Sequence, residues 1–196
     1  MERTATVERK TRETDIRLTL KLDGKGDSSI NTGVPFMDHM LQLLAAHGFF
    51  DLDIRARGDT EVDDHHTVED LGICLGSALG QALKNKGGIR RYGVALVPMD
   101  DALSRVVIDI SNRPFLAYRV ETGARQAGTF DVGLIREFAR GITTHAGITA
   151  HIDLLRGNDA HHIAESVFKA LGRALDEATR ADDRLKGTPL STKGTL

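Results

Sequence analysis

The chain is short of cysteine, of net charge and of long apolar runs, and each shortage removes a class of protein. A single cysteine, Cys74, cannot close an intramolecular disulfide, and its neighbours Ile73 and Leu75 place it at a packed apolar position, so a reducing compartment is expected. Twenty-eight acidic residues against 26 basic ones, mixed along the chain, leave a formal charge of -2. There is accordingly no electrostatic footprint for nucleic acid, and any anionic ligand must be met by a local cluster of cations. No stretch approaches the ~20 consecutive apolar residues of a membrane helix. The opening "MERTATVERKTRETDI" has no apolar core of the kind a secretory signal carries, so the cytoplasm is the expected location. Low-complexity segments and long linkers are also missing. What remains is 196 residues with 40% hydrophobic content, enough to bury one substantial core.

That core is written twice. "DDHHTVED" (63–70) and "DAHHIAES" (159–166) both contain His-His-x-x-Glu, at an offset of 96 residues, and "LGSAL" (75–79) falls on "LGRAL" (171–175) at the same offset. Upstream, "AAHGFFDLDI" (45–54) falls on "TTHAGITAHI" (143–152) at an offset of 98. "DIRLTLKLD" (15–23) and "LSRVVIDIS" (103–111) both alternate apolar and polar residues, the period of a half-buried strand. The repeat is too long for a solenoid unit and fits a duplicated small domain, with halves at 1–90 and 91–196 forming one compact catalytic unit.

Each half reads as strands, a helix, a strand and a second helix. In "GVPFMDHMLQLLAAHG", Pro35 sits near the first helical position, Met37, Met40, Leu41 and Leu44 form a core stripe, and Gly48 closes the helix. His39 lies about 200 degrees round from Met37 and points away from that stripe. The predicted class is α+β, internally duplicated, each half a mostly antiparallel sheet with two helices packed on one face.

On a helix, a carboxylate three or four positions after an imidazole shares its face, so Glu69 can share a metal ion with His66 while His65 aims elsewhere. Adjacent histidines do not comfortably ligate one ion, but they can ligate two on either side of a helix start. Two such helices offer four imidazoles and two carboxylates to two metals. The repeat adds His39, which aligns with Glu137 on the first helix of the other half. Imidazoles with carboxylates and no thiolate suit Mn, Fe, Ni, Co or Zn, and the ligand set alone does not choose. His47 and His145 fall in the last turns of helices, where a cation complements the dipole. His151 belongs on the polar face of a strand.

"GVPFMDHML", "DDHHTVEDLG", "GNDAHHIAESVFKALGRAL" and the closing "STKG" resemble the imidazoleglycerol-phosphate dehydratase family, and the likeness runs from "RKTRET" to "STKGTL". The resemblance implies a duplicated ribosomal protein S5 domain 2-like fold. It also implies a homo-oligomeric shell of 24 subunits, and two Mn2+ ions per active site at subunit interfaces. It implies one ion on His39, His66, Glu69 and His162, and another on His65, His161 and Glu165 with position 137, where some relatives have histidine and this chain has Glu137. The implied reaction, a step of histidine biosynthesis, removes water from D-erythro-imidazole glycerol phosphate to leave imidazole acetol phosphate, through a dimetal-bound imidazolate and a diazafulvene. Glu13 is the candidate general acid or base, with Glu69 and Glu165 as further catalytic carboxylates. Arg91, Arg113, Lys169, Ser191, Thr192 and Lys193 match the family's phosphate side, where arginine can clamp phosphate with a bidentate fork.

Two other classes compete. A dinuclear metallohydrolase would use bridging carboxylates, whereas most candidate ligands here are imidazoles. A noncatalytic metal-binding shell would not require the cations at 91, 113, 169 and 193. Replacing Glu13→Gln is expected to lower turnover by ~10²-fold or more with assembly and metal content intact; turnover near that of the unmodified chain would remove Glu13 from the chemistry.

Overall fold

A computed structural model describes residues 2–123 and 125–196. The first half runs β1 (Thr4–Lys10), β2 (Thr14–Lys21), β3 (Ser28–Asn31), α1 (Pro35–Gly48), β4 (Asp51–Gly58) and α2 (His65–Leu83). The second runs β5 (Tyr92–Met99), β6 (Ala102–Asp109), β7 (Phe115–Arg119), a two-residue ribbon β8 (Gln126–Ala127) and β9 (Phe130–Asp131), α3 (Leu134–Ala146), β10 (Thr149–Arg156) and α4 (Ala160–Thr179).

The two sheets have the same strand order, β1-β2-β4-β3 and β5-β6-β10-β7. In each, the last pair is parallel (β3 with β4, β7 with β10) and the others are antiparallel. The alternation seen in the sequence sets which face is buried. Ile16, Leu18 and Leu20 of β2 point inward, with Leu18 opposite Val7 and Ile54; Val106 of β6 sits opposite Ala95 and Ile152.

The helices cover the inner faces as one middle layer, and they exchange partners between halves. Helix α2 packs on β1 and β2 of its own sheet and along α3 of the other half, while α4 packs on β5 and β6 and along α1. A single buried cluster therefore runs through both halves. Met37, Met40, Leu41 and Leu44 of α1 are fully buried, and their counterparts Ile135, Phe138, Ala139 and Ile142 of α3 are buried too.

Glycines set how closely the helices approach. A Cβ on Gly72 would lie 2.3 Å from the Phe138 carbonyl oxygen, one on Gly76 2.7 Å from that of Ile142, and one on Gly172 2.6 Å from that of Leu44. All three obstacles are backbone, which cannot swing aside. Gly48 serves the same purpose and not the helix stop read from the sequence: its Cβ would meet the Phe50 ring at 2.5 Å and the Gly172 carbonyl at 3.0 Å. The left-handed residue that ends α1 is Phe49 (φ 55), matched in α3 by Gly147 (φ 65). The bonds that close the two helices, Phe50 N–H to Ala45 O (3.1 Å) and Ile148 N–H to Thr143 O (3.0 Å), correspond as well.

Cys74 is fully buried on α2, and desolvation pushes its thiol pKa up to about 11. It is expected to resist alkylation at neutral pH until the chain unfolds. Gly72→Ala should cost about 1–3 kcal/mol in denaturant unfolding, because the clash outweighs the helix propensity gained. Gly80→Ala, whose Cβ would be 3.4 Å from its nearest neighbour, should be neutral or stabilising and serves as the control.

Candidate metal and phosphate site

Because α1 lies along α4, the start of one helix brings its imidazole to the start of the other. His39 Nε2 and His161 Nε2 each lie 3.0 Å from Glu165 Oε1, and the three donor atoms are within 4.8 Å of one another. Glu165 is buried, with Lys169 Nζ donating to its second oxygen at 2.6 Å. Burial alone would raise the carboxyl pKa; hydrogen bonds from Lys169, His39 and His161 outweigh it and bring the group to about 2. It is thus ionised throughout the neutral range, as a metal ligand must be.

The crossing of α3 with α2 supplies the counterpart. His65 Nε2 is 3.6 Å from Glu69 Oε2, and Arg140 Nη2 lies 2.9 Å from Glu69 Oε1 and 2.5 Å from Glu137 Oε2. Glu137 Oε2 is buried and, among the described residues, accepts no well-angled hydrogen bond despite that ion pair. The partner of Glu69 is therefore His65, at i+4, and not His66 as the helical spacing suggested; Glu165 and His161 keep the same relation. Within one chain the donors divide as His39, His161 and Glu165 against His65, Glu69 and Glu137. The division implied by the resemblance is one for sites between subunits and groups these residues otherwise; within one chain the grouping follows from each first helix packing on the second helix of the other half.

His66 and His162, the second members of the two pairs, turn outward. Each is held at Nδ1 by an aspartate: Asp59 at 3.0 Å for His66, Asp101 at 2.8 Å for His162. A carboxylate on Nδ1 fixes the tautomer and leaves the Nε2 lone pair directed away. These hydrogen bonds raise the pKa of both imidazoles. Asp101 is drawn down to about 2 by the Asn158 backbone N–H and by His162. Neither aspartate was singled out in the sequence. They come from unrelated loops, one after β4 and one in the β5–β6 turn, so the repeat gave no signal for them.

Glu13 sits in the tight turn between β1 and β2, where Thr11 Oγ1 accepts the Glu13 and Thr14 backbone N–H groups at 3.0 and 2.9 Å. Thr14 Oγ1 donates to the buried Asp70 of α2 at 2.5 Å, which pins the turn beside the helix start. Glu13 Oε1 is 3.9 Å from His66 Nε2. An open depression of about 280 Å³ lies here, lined by Thr11 to Asp15, Arg57 to Asp59, and Glu61.

The remaining cations gather elsewhere. Arg91, Arg113 and the segment Ser191, Thr192 and Lys193 line one depression of about 920 Å³. Asp109 joins the two arginines, accepting from Arg91 Nε at 2.6 Å and Arg113 Nη2 at 3.4 Å, and Arg91 Nη1 donates to the Leu190 carbonyl at 2.6 Å. Lys169, grouped with these on the sequence, is not on that lining within one chain: its ammonium is committed to Glu165 and to Met99 Sδ. Of the last-turn histidines, His47 differs from its reading as a cation. His47 has its pKa lowered, by desolvation first and by Lys169 and Arg173 next. His145 bonds the Gly141 carbonyl through Nδ1 at 3.0 Å. His151 is exposed on β10, as its alternation indicated.

Comparisons with known proteins bear on family and fold. The sequence model of the imidazoleglycerol-phosphate dehydratase family matches residues 32–175. Proteins of that name from Pelobacter propionicus and Halalkalibacterium halodurans are each 57% identical, the first over the whole of both chains and the second over 99% of this chain and 100% of its own. A crystal structure of the Staphylococcus aureus imidazoleglycerol-phosphate dehydratase superposes with TM-score 0.83 at 41% identity, covering 91% of this chain and 99% of its own. That of the Pyrococcus furiosus protein, in complex with (S)-C348, gives 0.84 at 39% identity over 97% and 100%. The chain belongs to the imidazoleglycerol-phosphate dehydratase family.

Proposed function

We propose that the chain dehydrates imidazole glycerol phosphate to imidazole acetol phosphate in the biosynthesis of histidine, in a 24-subunit cytoplasmic assembly that uses two Mn2+ ions per active site. The observation that carries this reading is the converged donor set His39, His161 and Glu165 at one helix crossing, with sequence counterparts of all three at the other. His39, His161 and Glu165 fit one divalent ion; at the other crossing His65 and Glu69 correspond to His161 and Glu165, and Glu137, tied to Glu69 through Arg140, corresponds to His39. The Nε2 atoms of His66 and His162, which face away from these donors, suit a further ligand position on a set held by a neighbouring copy. Such ions, when bound, act as Lewis acids on the two nitrogens of an imidazole ring.

The chain's own residues then divide the remaining work. Asp59 and Asp101 hold the tautomers of the outward histidines. Lys169 and Arg140 offset the charge of the ligand carboxylates. Arg91 and Arg113, with Ser191, Thr192 and Lys193, grip the phosphate and fix the carbon chain relative to the ring. Glu13, carried on the pinned β1–β2 turn, moves the proton: loss of a C–H proton and departure of a hydroxyl together release one water.

Two measurements test the reading. Removing divalent ions with a chelator should abolish ketone formation from imidazoleglycerol phosphate, and Mn2+ should restore it with two ions per chain in a native mass spectrum; dehydration surviving in demetallated protein would refute it. His66→Ala and His161→Ala chains should each be inactive alone yet regain partial activity when disassembled and mixed, because some sites then combine an intact three-donor set with an intact outward histidine. No recovery on mixing, with heteromers present, would place all ligands of a site on one chain.

A further inference from the structure

Lys86 is a lysine where lysine is costly. It is 5% exposed, in the "NKGG" turn after α2, in a left-handed conformation (φ 56). Its ammonium reaches into the other half of the molecule, donating to the Ala146 carbonyl at the end of α3 at 2.9 Å and to the side-chain oxygen of Asn112. Among the described residues both acceptors are neutral, and burial lowers its pKa. The C-terminal dipole of α3 offsets part of the cost of burying this charge, but a helix end can be satisfied far more cheaply.

What the arrangement fixes is Asn112. Asn112 is itself left-handed (φ 57) and directly precedes Arg113. Its amide nitrogen donates to the Leu196 main-chain oxygen at 2.8 Å, and on the far side of Arg113 the Thr149 hydroxyl donates to the Arg113 carbonyl at 2.9 Å. Arg91, the other arginine of the depression, is left-handed as well (φ 73). Backbone conformations that cost energy persist where the surroundings over-determine them: Arg91 lines the depression, Asn112 adjoins its lining residues Arg113 and Leu196, and Lys86 holds Asn112. Space leaves little latitude: a Cβ on the neighbouring Gly147 would lie 3.1 Å from Asn112 Oδ1 and 3.4 Å from Lys86 Nζ.

We propose that Lys86 is a positioning residue for phosphate recognition: by clamping the Asn112 side chain it holds the turn that aims Arg113 into the depression and registers the 189–196 segment against it. Lys86 touches no substrate in this role. The proposal rests on the reading of Arg91, Arg113 and the 191–193 segment as the phosphate subsite, and deepens it by naming what holds that subsite in place.

The test uses the Mn2+-loaded enzyme and imidazoleglycerol phosphate, comparing Lys86→Met, Asn112→Gly, Asn112→Ala, Lys86→Met with Asn112→Ala, and Arg113→Ala. Lys86→Met should raise KM about ten-fold with kcat within about two-fold of the unmodified enzyme, the loss of a charge-assisted clamp felt in binding and not in chemistry. The bound-metal stoichiometry should not change. The double variant should be no worse than Asn112→Ala alone, since without the Asn112 side chain Lys86 has nothing left to clamp. Asn112→Gly keeps access to the left-handed backbone but gives Lys86 nothing to hold, and should raise KM similarly. A KM unchanged in Lys86→Met, effects that add in the double variant, or a fall in kcat and metal content in its place would overturn the proposal; if Lys86→Met fails to fold, an unchanged KM in Asn112→Gly does so. Arg113→Ala separates the two levels. If it leaves KM unaltered the phosphate subsite itself is misassigned, whereas a raised KM there with none in the Lys86 and Asn112 variants removes only the clamp.

Discussion

Close backbone contact between helices of opposite halves is the constraint on which the molecule is built. Without side chains at Gly72, Gly76 and Gly172, α2 can lie against α3 and α4 against α1 at carbonyl distance. That proximity places the first turn of one helix within imidazole reach of the first turn of another. The grouping of these side chains is a by-product of the crossing: His39 meets His161 and Glu165, and Arg140 beside Glu137 reaches Glu69, only because the halves trade helices. Packing and chemistry are thus set by the same contact, and a change that widens it acts on both.

The electrostatics follow from that crowding. Carboxylates buried at a helix crossing would be expensive without compensation, and each set has a resident cation, Lys169 on Glu165 and Arg140 shared by Glu69 and Glu137. The outward imidazoles are treated differently. His66 and His162 remain half-exposed, each fixed by an aspartate on one nitrogen and facing a second carboxylate at longer range on the other, Glu13 at 3.9 Å and Asp100 at 3.6 Å. Glu165 is a buried carboxylate with its charge offset, while His66 and His162 are each held in a single tautomer and orientation.

Much of this was legible in the sequence. The 96-residue echo of His-His-x-x-Glu, the strand alternation and the α1 stripe foretold a duplicated α+β chain, and the strands and helices fall where those patterns put them. What sequence could not supply was partnership between elements distant along the chain. Spacing on one helix cannot tell whether Glu69 faces His65 or His66, since both lie within a turn, and nothing in a linear pattern says that α1 rests on α4. Asp59, Asp101, Arg140 and Lys86 escaped notice because their roles come from loops and helix faces brought together only by folding. Gly48 was misread for a related reason: a glycine at a helix end usually marks a left-handed stop, but here it clears room for another backbone and Phe49 takes the stop.

The exchange of helices also bears on how such a chain could arise. A half-length ancestor would have had no opposite helix of its own to cross, and a second copy would have had to provide it, giving a twofold pair with two identical ligand sets. Fusion made that symmetry optional. In the present chain histidine 39 answers to glutamate 137, Lys169 to Ile73 and Arg140 to Gln42, so the two sets now differ in donor type and in nearby charge. Within one chain, one group of side chains can differ from its counterpart while the shared backbone contact keeps both helix crossings in place.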